Sequence, residues 1–174
     1  MEDVTARKPL ERARTRVGPT RWDALFLAVA ALIVAADQLT KWLVREGLER
    51  GESWPADWPV KLVHVTNSGA AFGILQGAGP LLVVTTLVGI AAIVIYLLNP
   101  EFAHPLMRAG LALMMAGAVG NLIDRLWKGE VVDFVKAPHF PAFNVADSAI
   151  TIGVFVLIWA MLFHGVTEST DANS

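Results

Sequence analysis

Five aspartates stand inside or at the edge of apolar stretches: Asp23, Asp37, Asp124, Asp133 and Asp147. An ionisable side chain at membrane depth is expensive, so it usually faces a protein interior or a watery cavity and acts there. Asp133 and Asp147 share a segment with Asn144, and the chain has no cysteine. Two carboxylates without thiolates point to acid–base chemistry on water. One carboxylate takes a proton from water while the other, protonated, donates to a carbonyl oxygen. Two close carboxylates cannot both ionise easily, so the pair shares one proton near neutral pH. Asp147 follows Phe143-Asn144-Val145-Ala146 and opens an apolar run. A helix N-terminus favours an anion, which makes Asp147 the base and Asp133 the holder of the shared proton. A plain helix cap is the competing role for Asp147, and coupled groups titrate as a pair.

The other charged residues fall into sets at helical spacing. Asp37 and Lys41 are four apart and can pair on one helix face. An ion pair that holds the helix end is the simpler role for them than direct catalysis. Asn121, Asp124 and Arg125 also share a face. A helix C-terminus suits Arg125 but not Asp124, so Asp124 needs a cation or a donor from another element. A scaffolding role fits Asp124 better than a catalytic one.

The elements that position these groups are membrane spans. The chain has 174 residues, of which 55% are hydrophobic and 17% charged. A soluble domain carries about 25% charge. Mean hydropathy is +0.52. A net charge of −2 gives no footprint for nucleic acid. Apolar runs predict spans at 22–44, 80–98, 105–127 and 146–164, each near the length of about 20 residues that a bilayer core needs. The run at Leu25–Ala36 also resembles the apolar part of a signal peptide, but it continues past Asp37 and further spans follow. Ala112, Ala116 and Gly120 form a small-residue stripe for close helix packing.

The expected fold is an all-α membrane protein of four transmembrane helices with a small outward-facing β-containing element. Residues 1–21 read as a basic cytoplasmic tail, 22–165 as the membrane domain and 166–174 as a polar cytoplasmic tail. Basic flanks favour the cytoplasmic side, and four spans return the chain to it. The connections at about 45–79 and 128–145 then face outward. Trp54 and Trp58 read as interfacial anchors. Val60–Thr66 is β-prone. Asn67-Ser68-Gly69-Ala70-Ala71-Phe72-Gly73 reads as a loop or substrate platform, or as a helix start. With this topology Asp37, Asp124, Asp133 and Asp147 all converge at the outer leaflet. Asp133 is placed in the outer loop.

Five motifs in order resemble one family: Asp37-Gln38-Leu39-Thr40-Lys41, Asn67 to Gly73, Gly120-Asn121-Leu122-Ile123-Asp124-Arg125, Val132-Asp133-Phe134, and Phe143-Asn144-Val145-Ala146-Asp147. The chain is similar, over roughly 22–165, to bacterial lipoprotein signal peptidases, also called signal peptidase II. That resemblance implies an aspartic endopeptidase of the inner membrane. It would cut the signal peptide from prolipoproteins before a diacylglyceryl-modified Cys. The resemblance places the catalytic dyad on Asp133 and Asp147. It gives Asp37, Lys41, Asn67, Gly69, Asn121, Asp124, Arg125 and Asn144 to substrate or geometry. Asn67 and Asn144 are expected to bond the substrate backbone and Arg125 to brace the loops. No cofactor or metal is expected, and the working unit is a monomer among membrane lipids with lipid-modified prolipoprotein as its partner.

Rival readings use the same residues differently. Buried acids also mark ion or proton pathways, but these gather at one side and form no chain across the bilayer. His64, His104, His139 and His164 lack the spacing of a metallopeptidase. A membrane scaffold would explain the spans and leave the aspartates without a purpose.

Overall fold

The structure is a computed structural model that describes residues 21–69, 77–98 and 104–164. The expected tail at 1–21, save Arg21, the tail at 166–174, and Ala70–Gly73 of the second motif lie outside the described residues. Four helices form: α1 (Arg21–Gly47), α2 (Gly79–Leu98), α3 (Pro105–Lys128) and α4 (Val145–His164). All four are long and apolar enough to cross a membrane. Their outer faces carry exposed Leu32, Leu43, Val88, Ile95, Phe155 and Trp159. Such an apolar exterior is what lipid requires, since hydrocarbon offers no water to satisfy polar groups.

Helix α3 lies at the centre and packs against α4, α1 and α2. Its glycines permit this. A Cβ at Gly110 would meet the Gly153 carbonyl oxygen at 2.9 Å, and one at Gly153 would meet that of Gly110 at 2.6 Å. A Cβ at Gly117 would collide with the backbone oxygen of Ala146. The expected stripe of Ala112, Ala116 and Gly120 is buried. Gly120 has a further use, because its missing Cβ leaves room for a carboxylate. A methyl there would stand 2.7 Å from Asp37 Oδ2. Helix α3 starts with Pro105, whose missing N–H is no loss at a first turn. It ends at Gly129, which adopts φ 77° and returns its N–H to the Arg125 carbonyl.

A three-stranded antiparallel sheet sits at the end where α1 and α3 finish and α4 begins. Its order is β1 (Ser53–Trp54), β2 (Lys61–Asn67), β3 (Val131–Lys136). The expected β element is β2. Strand β3 corrects the expectation of a loop around Asp133. Val131, Val132, Asp133 and Phe134 are all buried, so this strand shows no apolar–polar alternation to announce it. Val132 and Phe134 form a small core with Val44 at the end of α1. The segment after β3 returns as a bridge between Val135 and Phe143. Phe140 stacks edge-on against Phe143, with ring centres 5.7 Å apart. Trp54 and Trp58 are both exposed.

Candidate active site

Register brings the first carboxylate into place. Val65 of β2 lies opposite Asp133 of β3. Residues two apart share a sheet face, so Asn67 falls diagonally next to Asp133. Asn67 Nδ2 donates to Asp133 Oδ2 at 3.1 Å. Asn144 Nδ2 donates to the other oxygen, Oδ1, at 2.8 Å. Asp133 is only 4% exposed. Burial pushes its carboxyl up to about 6, the charge of Asp147 adds to this, and the two asparagine donors oppose it.

The second carboxylate is positioned by a helix start. Asn144 is the residue before α4. Its Oδ1 accepts the Asp147 N–H at 2.9 Å, and Asp147 Oδ2 accepts the Asn144 N–H at 3.3 Å. This reciprocal pair is a capping box, with Asn144 as the cap and Asp147 three residues into it. Asp147 is therefore not the cap itself. Its Oδ1 accepts from Asn121 Nδ2 at 2.8 Å. Asp147 is half-buried, so it is more open to water than Asp133.

A buried ionic cluster lies beneath the two carboxylates. The Lys41 ammonium is fully buried and stands 2.8 Å from Asp37 Oδ2 and 2.7 Å from Asp124 Oδ2. It donates to Asn121 Oδ1 at 2.9 Å. Asp37 also accepts the Ala146 N–H at 2.9 Å, which caps a free amide in the first turn of α4. Asp124 finds the second cation it needs in Arg45, at 2.6 Å. Charges buried this deeply persist only when paired and bonded on all sides.

The expected residues are thus largely brought together. Asp133, Asp147, Asn67, Asn121, Asn144, Asp37, Lys41 and Asp124 form one connected polar group. Gly69 joins it through its N–H, which donates to Asn67 Oδ1 at 2.9 Å. Arg125 donates to the Gly69 carbonyl at 3.2 Å and so braces the loop as expected. Asn67 and Asn144, expected to bond a substrate backbone, both donate to Asp133 in this structure. Two members were missed. Gln38 donates to Asp37 Oδ2 and to the Gly120 carbonyl, at 3.1 and 3.0 Å. Arg45 is the second, through its ion pair with Asp124. The signal for it was present, since Asp37, Lys41 and Arg45 fall at successive four-residue steps on one helix face. Among the described residues no group of three His, Asp or Glu side chains is arranged to hold a metal ion.

A family model described as signal peptidase (SPase) II matches residues 29–163. The chain belongs to the signal peptidase II family. The match spans all five motifs and most of every helix. A lipoprotein signal peptidase of Shouchella clausii is 46% identical over 148 residues, covering 83% of this chain and 97% of that protein. One from Geobacillus kaustophilus is 43% identical over 145 residues, covering 80% and 94%. Two solved structures of bacterial membrane enzymes, determined by the in meso method at 2.3 and 1.9 Å resolution, share the fold. The first has a TM-score of 0.78 at 33% identity, covering 83% of this chain and 91% of its own. The second has a TM-score of 0.73 at 34% identity, covering 80% and 94%. As a signal peptidase II the protein is a bacterial membrane protease.

Proposed function

We propose that this protein is an aspartic endopeptidase that removes the signal peptide from diacylglyceryl-modified prolipoproteins, cutting before the modified Cys. The observation that carries the reading is the unequal pair of carboxylates. Asp133 is buried, bonded by two amides and pushed up to about 6; Asp147 is half-buried and held at a helix start. Unequal environments separate an acid from a base.

Asp147 takes a proton from water as that water attacks the scissile carbonyl carbon. Asp133 gives its proton to the carbonyl oxygen. The tetrahedral intermediate then collapses, the C–N bond breaks, and the proton on Asp147 passes to the leaving amine. Asp133 recovers its proton from the hydroxyl. No metal or cofactor is needed. Arg125 and Gly69 hold the loop beside the site, and Asn121 and Asn144 hold the carboxylates.

The site lies at the outer leaflet, with both termini cytoplasmic. The membrane domain spans 22–165 and acts as a monomer. This placement suits a substrate that is a helix in the membrane with a lipid at its outer end. Water reaches the boundary and not the midplane.

The test is cleavage of a diacylglyceryl-modified prolipoprotein by purified wild type, Asp133→Asn, Asp147→Asn and Asp124→Asn. Folded but inactive Asp133 and Asp147 variants are expected, with residual turnover in Asp124→Asn. A dead Asp124 variant beside an active Asp133 variant would mean that the wrong carboxylate has been paired. An inert wild type would sink the substrate assignment.

A further inference from the structure

Lys41 lies one residue away from the reacting carboxylates, and its surroundings fix more than its own charge. Asn121 Oδ1 receives the Lys41 ammonium at 2.9 Å and Asn144 Nδ2 at 3.3 Å. Both are donors only, so the atom they meet must be the amide oxygen. Rotating the amide by half a turn would set its NH2 group against an ammonium and a second amide NH2. The Asn121 NH2 is therefore forced toward Asp147, where it donates to Oδ1 at 2.8 Å. Asn144 is ordered the same way. Its Oδ1 takes the Asp147 N–H, so its NH2 must face Asp133. Orientation passes from one cation through two amides to both carboxylates.

We infer that Lys41 is a positioning residue for the dyad, acting through Asn121, whose amide it locks with the N–H toward Asp147. The inference rests on the dyad reading above. An N–H donated to a carboxylate favours its ionised form. The lock thus helps to decide which member of the pair is the base. Position, and not charge alone, is what Lys41 supplies. Its charge is already matched by Asp37 and Asp124, and Arg45 adds a second cation to Asp124.

The other charged groups around the dyad belong to each neighbouring element. Asp37, Lys41 and Arg45 come from α1, and Asp124 and Arg125 from α3. Strand β3 and helix α4 supply Asp133 and Asp147 themselves. Strand β2 contributes the uncharged Asn67. Asp124 and Arg125 are left intact in the test, so a change in the pH profile traces to the lock and not to them.

The readout is the acid limb of the pH–kcat profile on lipid-modified substrate. Removing Lys41 alone leaves two buried carboxylates with one cation. The first variant is therefore the charge-balanced Lys41→Met/Asp37→Asn, in which Arg45 still serves Asp124. The second is Lys41→Arg, the conservative variant, whose guanidinium is also donor-only and so keeps the Asn121 oxygen turned toward it. Each is measured in the wild-type background and again with Asn121→Ala. With Asn121 present, the acid limb of the Lys41→Met/Asp37→Asn variant is expected to move up by about one pH unit, the size of one lost charge-assisted bond, and that of a folded Lys41→Arg variant to stay in place. With Asn121 already removed, the Lys41 change is expected to move it no further.

A wild-type acid limb in the folded Lys41→Met/Asp37→Asn variant overturns the inference. So does a shift of equal size with and without Asn121, since Lys41 would then act by charge alone. A purely structural Lys41 would lower the folded fraction and leave the limb in place. Asp133→Asn run alongside separates the two levels. If it is dead while the Lys41→Met/Asp37→Asn variant keeps the wild-type limb, the lock falls and the dyad stands. If it is active, both fall.

Discussion

Replacing Asp133 by Asn should make the protein more stable at alkaline pH while abolishing its activity. A carboxyl raised from 3.8 to about 6 in the folded state binds protons that the unfolded chain has already released. Between those two values stability falls as pH rises. The penalty is absent below 3.8, grows through the window, and is complete above about 6. A shift of about 2 units corresponds to roughly 3 kcal/mol at pH 8. By pH 4.5 the same linkage leaves about 1 kcal/mol. The substitution is not free of loss. Asn67 and Asn144 both aim NH2 groups at this side chain, and an amide can accept only one of them well. One lost hydrogen bond returns about 1 to 1.5 kcal/mol. The net expectation is a gain of about 1 to 2 kcal/mol at pH 8 that shrinks to zero or reverses by pH 4.5. Thermal unfolding in detergent, with the two proteins scanned side by side at both pH values, measures it. A variant that is less stable at pH 8, or a difference that does not depend on pH, would show that Asp133 is not a strained acid and that its environment has been misjudged.

Asn144→Ala removes the cap of α4 and a donor to Asp133, and should lower stability by about 2 kcal/mol. Because that donor opposes the upward push on Asp133, its loss should also move the alkaline limb of the pH–rate profile higher; a limb that stays or drops would contradict the assigned proton. Gly117→Ala should destabilise by about 2 to 3 kcal/mol, because the new methyl meets the Ala146 backbone oxygen and Ile150, and the helix backbone cannot yield cheaply. Unchanged unfolding temperature in that variant would mean that α3 and α4 lie farther apart than described. Turnover should persist in EDTA, and an activity lost to the chelator and restored by a divalent cation would remove the two-carboxylate mechanism.

The sequence by itself determined the membrane architecture, because each span depends only on local hydropathy and length. Helices α1 to α4 lie within a few residues of the runs read at 22–44, 80–98, 105–127 and 146–164. The gathering of Asp37, Asp124, Asp133 and Asp147 at one end was also legible, since it follows from counting spans. So was the pairing of Asp37 with Lys41, which needs only helical spacing. Partners across elements were not legible. Nothing local says that Arg45 completes Asp124, that Gly120 is small to admit a carboxylate, or that Asp133 rides a strand. Strand β3 is buried at four successive positions, so the alternation that marks a half-buried strand is missing. Most of all, sequence could list Asn67, Asn121 and Asn144 but could not say what they touch. An asparagine amide has two chemically opposite ends, and only the donors and acceptors that tertiary packing brings around it decide which end faces which carboxylate.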